Sequence, residues 1–235
     1  KDLSENHCRR ISQDFISCLS NTVGKLLEQE ETNWVYTLPP QAIEAQLVSI
    51  GRDGTTMYLR SQGYRETMNG TISFYNKQGN RVHTIYMAQA PEYGKGTFNK
   101  RFQKEITRIQ QLVPHATYIG LADGAIDNWT FLESYTSVSI LDFWHASEYI
   151  GLASKAASRS AYERKEWLEQ ARHDLRHEED SATELLNQMK GFRRKRKLSK
   201  VAKESLEKAI TYFTNHKHQM DYARHAATNY PIGSG

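Results

Sequence analysis

Near the start of the chain, apolar side chains recur three and four positions apart. Ile11, Phe15, Ile16, Leu19, Val23, Leu26 and Leu27 predict a helix or helix pair within residues 3–30, interrupted mildly by Gly24. Pro39 and Pro40 then force an extended connection. Residues 46–52 (QLVSIGR) form a short apolar run that predicts a first strand ending at Asp53-Gly54. Two β-rich runs follow, 70–75 and 81–89, and the Lys77-Gln78-Gly79-Asn80 stretch between them predicts a hairpin. Helical spacing returns with Phe98, Phe102, Ile106, Ile109 and Val113, and stops at Pro114. Residues 117–122 (TYIGLA) predict a strand ending at Asp123-Gly124, residues 126–135 a helix, and residues 137–141 (SVSIL) one more short strand.

From about residue 146 the pattern is helical only, carried by Trp167, Leu168, Leu175, Leu185, Leu186, Met189, Leu206, Ile210, Phe213 and Met220. An antiparallel start followed by β-α-β alternation predicts an α/β fold, a mixed sheet flanked by helices with right-handed crossovers. Four segments result. Residues 1–33 are an N-terminal helical segment, 34–150 the sheet-bearing core, 151–228 an all-helical module, and 229–235 the start of a final segment.

Charge separates these parts. Residues 1–150 hold 14 Lys and Arg against 16 Asp and Glu, whereas 151–235 hold 17 against 11, so the basic excess is local to the helical module. Its densest stretch, residues 190–200, contains Lys190, Arg193, Arg194, Lys195, Arg196, Lys197 and Lys200 and no acid. Consecutive cations repel unless an anion offsets them, and DNA phosphate would do so without reading sequence. The run is expected at a loop or helix start. Arg60, Arg65 and Lys95 are further phosphate candidates by position. With only Cys8 and Cys18, the chain carries no CxxC pair and no disulfide framework, which suits a reducing compartment. No apolar run reaches the roughly 20 residues of a membrane span. An opening on Lys1 rather than Met suggests a piece of a longer chain.

Asp53 and Asp123 share one context, an apolar strand followed by Asp and Gly. Asp-Gly is ordinary turn chemistry, and each motif alone says little. If the two strands are neighbours, however, both carboxylates leave the same sheet region, and a hard cation such as Mg²⁺ or Mn²⁺ would relieve their repulsion. Asp142-Phe143-Trp144-His145 follows the last strand. His145 is either a functional group or a packing residue, while Trp129 and Trp167 are expected to pack.

The order of Asp53, Asp123 and Asp142-x-x-His145 on a β-β-β-α-β-α-β chain with a helical segment after it resembles the catalytic domain of DDE transposases. The likeness is to the Mutator-like and hAT-like kind with a (C/D)xxH motif, and within it to bacterial insertion-sequence transposases; it spans residues from about 45 onward. It implies a ribonuclease H-like fold with a helical insertion over 151–228. Asp53 and Asp123 would be catalytic metal ligands, and Asp142 and His145 would support the site from the fifth strand. Two Mg²⁺ or Mn²⁺ ions, DNA as partner and substrate, a homo-oligomer, and a cytoplasmic, nucleoid-associated bacterial setting are implied with it. The family's third ligand is a Glu, which the pattern places a few residues beyond Gly235; Glu133 and Glu148 match no family position. The implied reaction is strand cleavage and strand transfer. Its alternatives are a related nuclease that cuts without joining, and a silent transposase-derived DNA-binding or assembly module.

Overall fold

The computed structural model describes residues 13–33, 36–60, 63–89, 94–195 and 198–233. Two compact units are present, residues 1–38 and 39–235. In the first, helix α1 (Gln13–Asn33) carries the apolar repeat seen in the sequence; the portion expected over residues 3–12 lies outside the described residues.

The second unit opens with a single helical turn, α2 (Pro40–Ile43), where Pro at the first helical position sacrifices no needed N–H. Then come β1 (Leu47–Leu59), β2 (Gly63–Tyr75) and β3 (Arg81–Ala88), an antiparallel meander. Helix α3 (Gly96–Leu112) buries Phe98, Phe102, Ile106 and Ile109 on one face and leads to β4 (Thr117–Ala122). Helix α4 (Ile126–Leu132) crosses to β5 (Val138–Leu141). The sheet order is β3-β2-β1-β4-β5, with β1, β4 and β5 mutually parallel. This mixed sheet flanked by helices is the ribonuclease H-like arrangement expected from the sequence.

One expectation fails informatively. The strand 46–52 does not end at Asp53-Gly54; β1 continues to Leu59, paired with β2 all the way to Gly63. Antiparallel pairing with a partner of equal length outweighs the turn preference of Asp-Gly. Beyond Arg52 the strand is no longer sandwiched between layers, and its buried pattern changes to exposed positions. Asp53 therefore sits within a strand, at the point where the covered sheet becomes an open ribbon.

The contact between α3 and β2 is unusually close at Gly70, where an added Cβ would stand 2.6 Å from the Phe102 ring. Phe102 in turn stacks on Phe131 of α4, with centroids 5.8 Å apart. Gly70 is the partner of Arg52, so these rings pack against the sheet beside the middle of β1.

The rest of the described chain is helical: α5 (Phe143–Ala157), α6 (Ala161–His177), α7 (Ser181–Lys195), α8 (Lys200–His216), a 3-10 turn (Lys217–Gln219) and α9 (Tyr222–Ala227). Helix α5 runs through the 150/151 boundary, so the helical module grows out of an element already packed on the sheet. The basic run is also displaced from its expected place. Arg193, Arg194 and Lys195 close α7 instead of sitting in a loop or opening a helix, where cations complement the negative end of the helix dipole; Arg196 and Lys197 lie outside the described residues. Trp129 is buried, and the Trp167 indole N–H donates to Gln188 Oε1 at 2.9 Å with its ring edge-on to Phe192, so both pack as expected.

Candidate active site

Strand register brings the three aspartates to one region of the sheet. The β1–β4 ladder closes with Gly51 opposite Leu121, so Asp53 lies two residues further along β1 while Asp123 directly follows β4; Ala122 pairs with Leu141, and Asp142 directly follows β5. Neighbouring strands lie about 4.8 Å apart, so each carboxylate emerges next to the other at one end of the sheet. Asp53, Asp123, Asp142 and His145 all line one cleft of about 160 Å³, with Asn69 and Thr71 of β2 forming its far wall.

Each carboxylate is held differently. Asp53 Oδ1 accepts from the Gly54 N–H at 2.7 Å. Asp123 Oδ1 accepts from the Ala125 N–H at 3.0 Å and from the Asn128 side-chain amide at 2.9 Å. The second oxygen of each has no hydrogen-bond partner among the described residues. Asp142 is not on the fifth strand, contrary to the expectation for the (C/D)xxH motif. It is the N-cap of α5, buried, with its side chain accepting from the Trp144 and His145 N–H groups. A helix start leaves N–H groups without partners, and a short carboxylate is well suited to take them. The cap engages Asp142 Oδ1 with the first turn of the helix. His145 follows in the first turn of α5, with a side chain 44% exposed and 3.8 Å from Glu148, so it stands at the mouth of the cleft instead of in the core.

The sequence alone did not mark Arg52. It is the largest fully buried side chain of the molecule, on the sheet face opposite Asp53, because successive strand residues alternate faces. Its guanidinium donates to Asn128 Oδ1 at 2.5 Å, to Asp127 Oδ2 at 2.7 Å and to Asn99 Oδ1 at 3.0 Å, and it lies 5.1 Å from the centre of the Phe131 ring. Asp127 also accepts from Lys95 at 2.9 Å; the bonds from Lys95 and Arg52 hold its carboxyl below the usual carboxylate range. Lys95, a phosphate candidate by position, is thus engaged with Asp127 and Glu66. The visible signal in the sequence was a lone Arg ending an apolar run, with an Asp-Asn pair just after Asp123.

The helical module touches the site through α8. The Tyr212 hydroxyl donates to the Asp123 carbonyl at 2.7 Å, and its ring stacks on Tyr149 of α5 with centroids 3.6 Å apart. Burial, then the nearby Tyr149 and Asp123, push the Tyr212 hydroxyl well up, so it serves as a fixed donor. Gly124 adopts φ +96°, and an added Cβ would be 3.1 Å from the Tyr212 hydroxyl and 3.2 Å from His216 Nε2. The Asp123-Gly124 turn is therefore clamped from above. A hollow of about 760 Å³ lies along α8 beside this clamp and includes Tyr149, Lys203, Lys208, Tyr212 and His216.

The basic residues are not gathered at the cleft. Lys200 opens α8, and at 1.5 Å per residue it stands about 18 Å along the helix from Tyr212. Arg193 approaches Glu207 at 3.3 Å, while Arg194 and Lys200 are exposed and Lys190 is half-buried.

Hard oxygen donors with one free oxygen each suit Mg²⁺ or Mn²⁺. Among the described residues no group of three or more His, Cys, Asp or Glu is placed to hold a metal ion; Asp53 and Asp123 are two carboxylates that line the same cleft. No described helix is long and apolar enough to cross a membrane. No protein-family model matches the chain, and neither does any curated protein. Among solved structures, the chain is similar to the catalytic domain of the Mos1 mariner transposase at 12% identity and a TM-score of 0.21, over 98% of each chain. A similarity that slight bears no weight on function.

Proposed function

We propose that this chain is a catalytic core of the DDE transposase type, cutting and rejoining DNA by in-line phosphoryl transfer. The observation that carries the reading is that Asp53, within β1, and Asp123, just after the parallel neighbour β4, line one cleft, each with one carboxylate oxygen that has no hydrogen-bond partner among the described residues. Asp53 and Asp123 would hold divalent metal. Bound there, Mg²⁺ or Mn²⁺ supplies Lewis-acid activation of the scissile phosphate and of the attacking water or 3′-hydroxyl.

The chain's own residues account for the rest of the geometry. The Ala125 N–H and the Asn128 amide fix the rotamer of Asp123, the Gly54 N–H fixes that of Asp53, and neither carboxylate needs to reorient when charge arrives. Preorganised donors of this kind spare the reorganisation that water would require. Tyr212 holds the Asp123 backbone from the helical side. Asp142 keeps α5 anchored so that His145 faces the mouth, where an imidazole reaches a phosphate or a strand end. In this reading Asp142-Phe143-Trp144-His145 is the (C/D)xxH element of the Mutator-like and hAT-like kind, read as an N-cap motif.

The Phe143 N–H donates to the Ile232 carbonyl at 2.9 Å and Gly233 packs beside the Trp144 indole, so this segment is held against the start of α5. DNA is the proposed partner, with Arg193, Arg194 and Lys200 contacting backbone phosphate away from the cleft.

The test is cleavage of transposon-end DNA by the full-length protein with Mg²⁺. Asp53→Ala and Asp123→Ala are expected to reduce cleavage to background with the fold retained. Cleavage at the wild-type rate by either variant removes the reading. Joined products identify a transposase, and cut ends alone a nuclease of the same fold.

A further inference from the structure

Asn128 joins a buried cation to a candidate metal ligand, and its chemistry allows only one orientation. An arginine side chain has five donors and no acceptor, so the oxygen of the Asn128 amide must face Arg52, 2.5 Å away. The NH₂ then has to face the other way, and what it meets at 2.9 Å is Asp123 Oδ1. Arg52 is itself immovable: it is enclosed between β1, α3 and α4, bonded to Asn99 and Asp127 as well, and backed by Phe131. A fixed cation thus sets an amide, and the amide sets a carboxylate.

We infer that Asn128 is a positioning residue that transmits the buried charge of Arg52 to Asp123, holding Asp123 Oδ1 toward α4 and leaving Oδ2 for a divalent ion. The inference rests on the metal-centre reading above. It gives a physical reason for a buried arginine one residue before Asp53. Asp53 and Asp123 line one cleft and repel, and an amide polarised by its bond to the guanidinium is a stronger donor to Asp123, steadying that carboxylate before metal arrives. Partners that orient metal ligands without touching the metal govern affinity by about 10- to 100-fold.

Asn99 provides the matched control. It accepts from the same guanidinium at 3.0 Å but has no bond to Asp123, so removing it weakens the Arg52 cage and leaves Asp123 alone. The experiment is titration of Mn²⁺ into the purified chain, with thermal melting in parallel, for wild type, Asn128→Ala, Asn99→Ala and Asp53→Ala. Asn128→Ala is expected to bind Mn²⁺ about tenfold more weakly, Asn99→Ala to melt lower with affinity within about twofold of wild type, and Asp53→Ala to lose binding. If Asn128→Ala does not fold, Asn128→Gln takes its place, keeping an amide for Arg52 but displacing it from Asp123, with the same weakening expected. Equal affinities for the Asn128 and Asn99 variants overturn the positioning role while the metal site stands. Unchanged binding by Asp53→Ala overturns the metal site itself.

Discussion

At the scale of single residues, the site depends on positions where backbone conformation and neighbouring atoms leave little room for change. Gly124 is the clearest case. Its φ of +96° is unfavourable for any side chain, and the space where a Cβ would go is occupied by Leu141, Tyr212 and His216. Gly124→Ala is expected to cost about 1–2 kcal/mol, a fall of about 2–4 °C in melting temperature per kcal/mol for a chain of this size, measurable by calorimetry. An unchanged melting temperature would mean that α8 does not clamp the turn. The residue scale is also where the sequence was least legible. Asp53 and Asp123 announced themselves through a repeated strand-Asp-Gly context, but Arg52, Asn128 and Tyr212 did not. Their partners lie far off along the chain, 76 residues between Arg52 and Asn128 and 89 between Asp123 and Tyr212, and no local pattern encodes such pairs.

At the scale of elements, periodicity located most of the structure and failed where tertiary pairing overrode local preference. The strand 117–122 and the helix carrying Phe98 through Ile109 were readable because burial on one or both faces imposes its own pattern. The end of β1 was not readable, because a ribbon exposed on both sides has no apolar alternation to reveal it. The same limit applies to Asp142, which looks like the end of a strand and works as a helix cap. Short helix α9 offers a prediction of its own. Burial lowers the pKa of His225, with Arg224 acting in the same direction and Asp221 against it, and its ring stacks on Tyr230. A folded-state pKa below the unfolded value near 6.5 means that stability is fully present above about pH 6.5 and is lost as pH falls toward the folded value. Melting temperature is therefore expected to decline from about pH 7 to pH 5, and His225→Phe to flatten that decline. A profile as steep in the variant as in wild type would place the titration elsewhere.

At the scale of the whole molecule, the sheet, its flanking helices and the helical module act as one support for a small cleft. The 150/151 boundary read from the loss of strands runs through α5, because the helix that ends the sheet region is also the first helix of the module. Through Tyr149 on α5 and Tyr212 on α8, the module reaches back to the Asp123 turn, so this half of the chain braces the cleft as well as carrying the basic excess. Of the described residues in the basic run, Arg193 and Arg194 close α7 and Lys200 opens α8. The central claim is that Asp53 and Asp123 together bind a divalent metal. Crystals of the chain soaked in Mn²⁺ and measured at the manganese absorption edge test it most directly. The account predicts an anomalous peak within bonding distance of both Asp53 and Asp123 carboxylates, absent in Asp123→Ala, and a cleft with no such peak at saturating Mn²⁺ would contradict it.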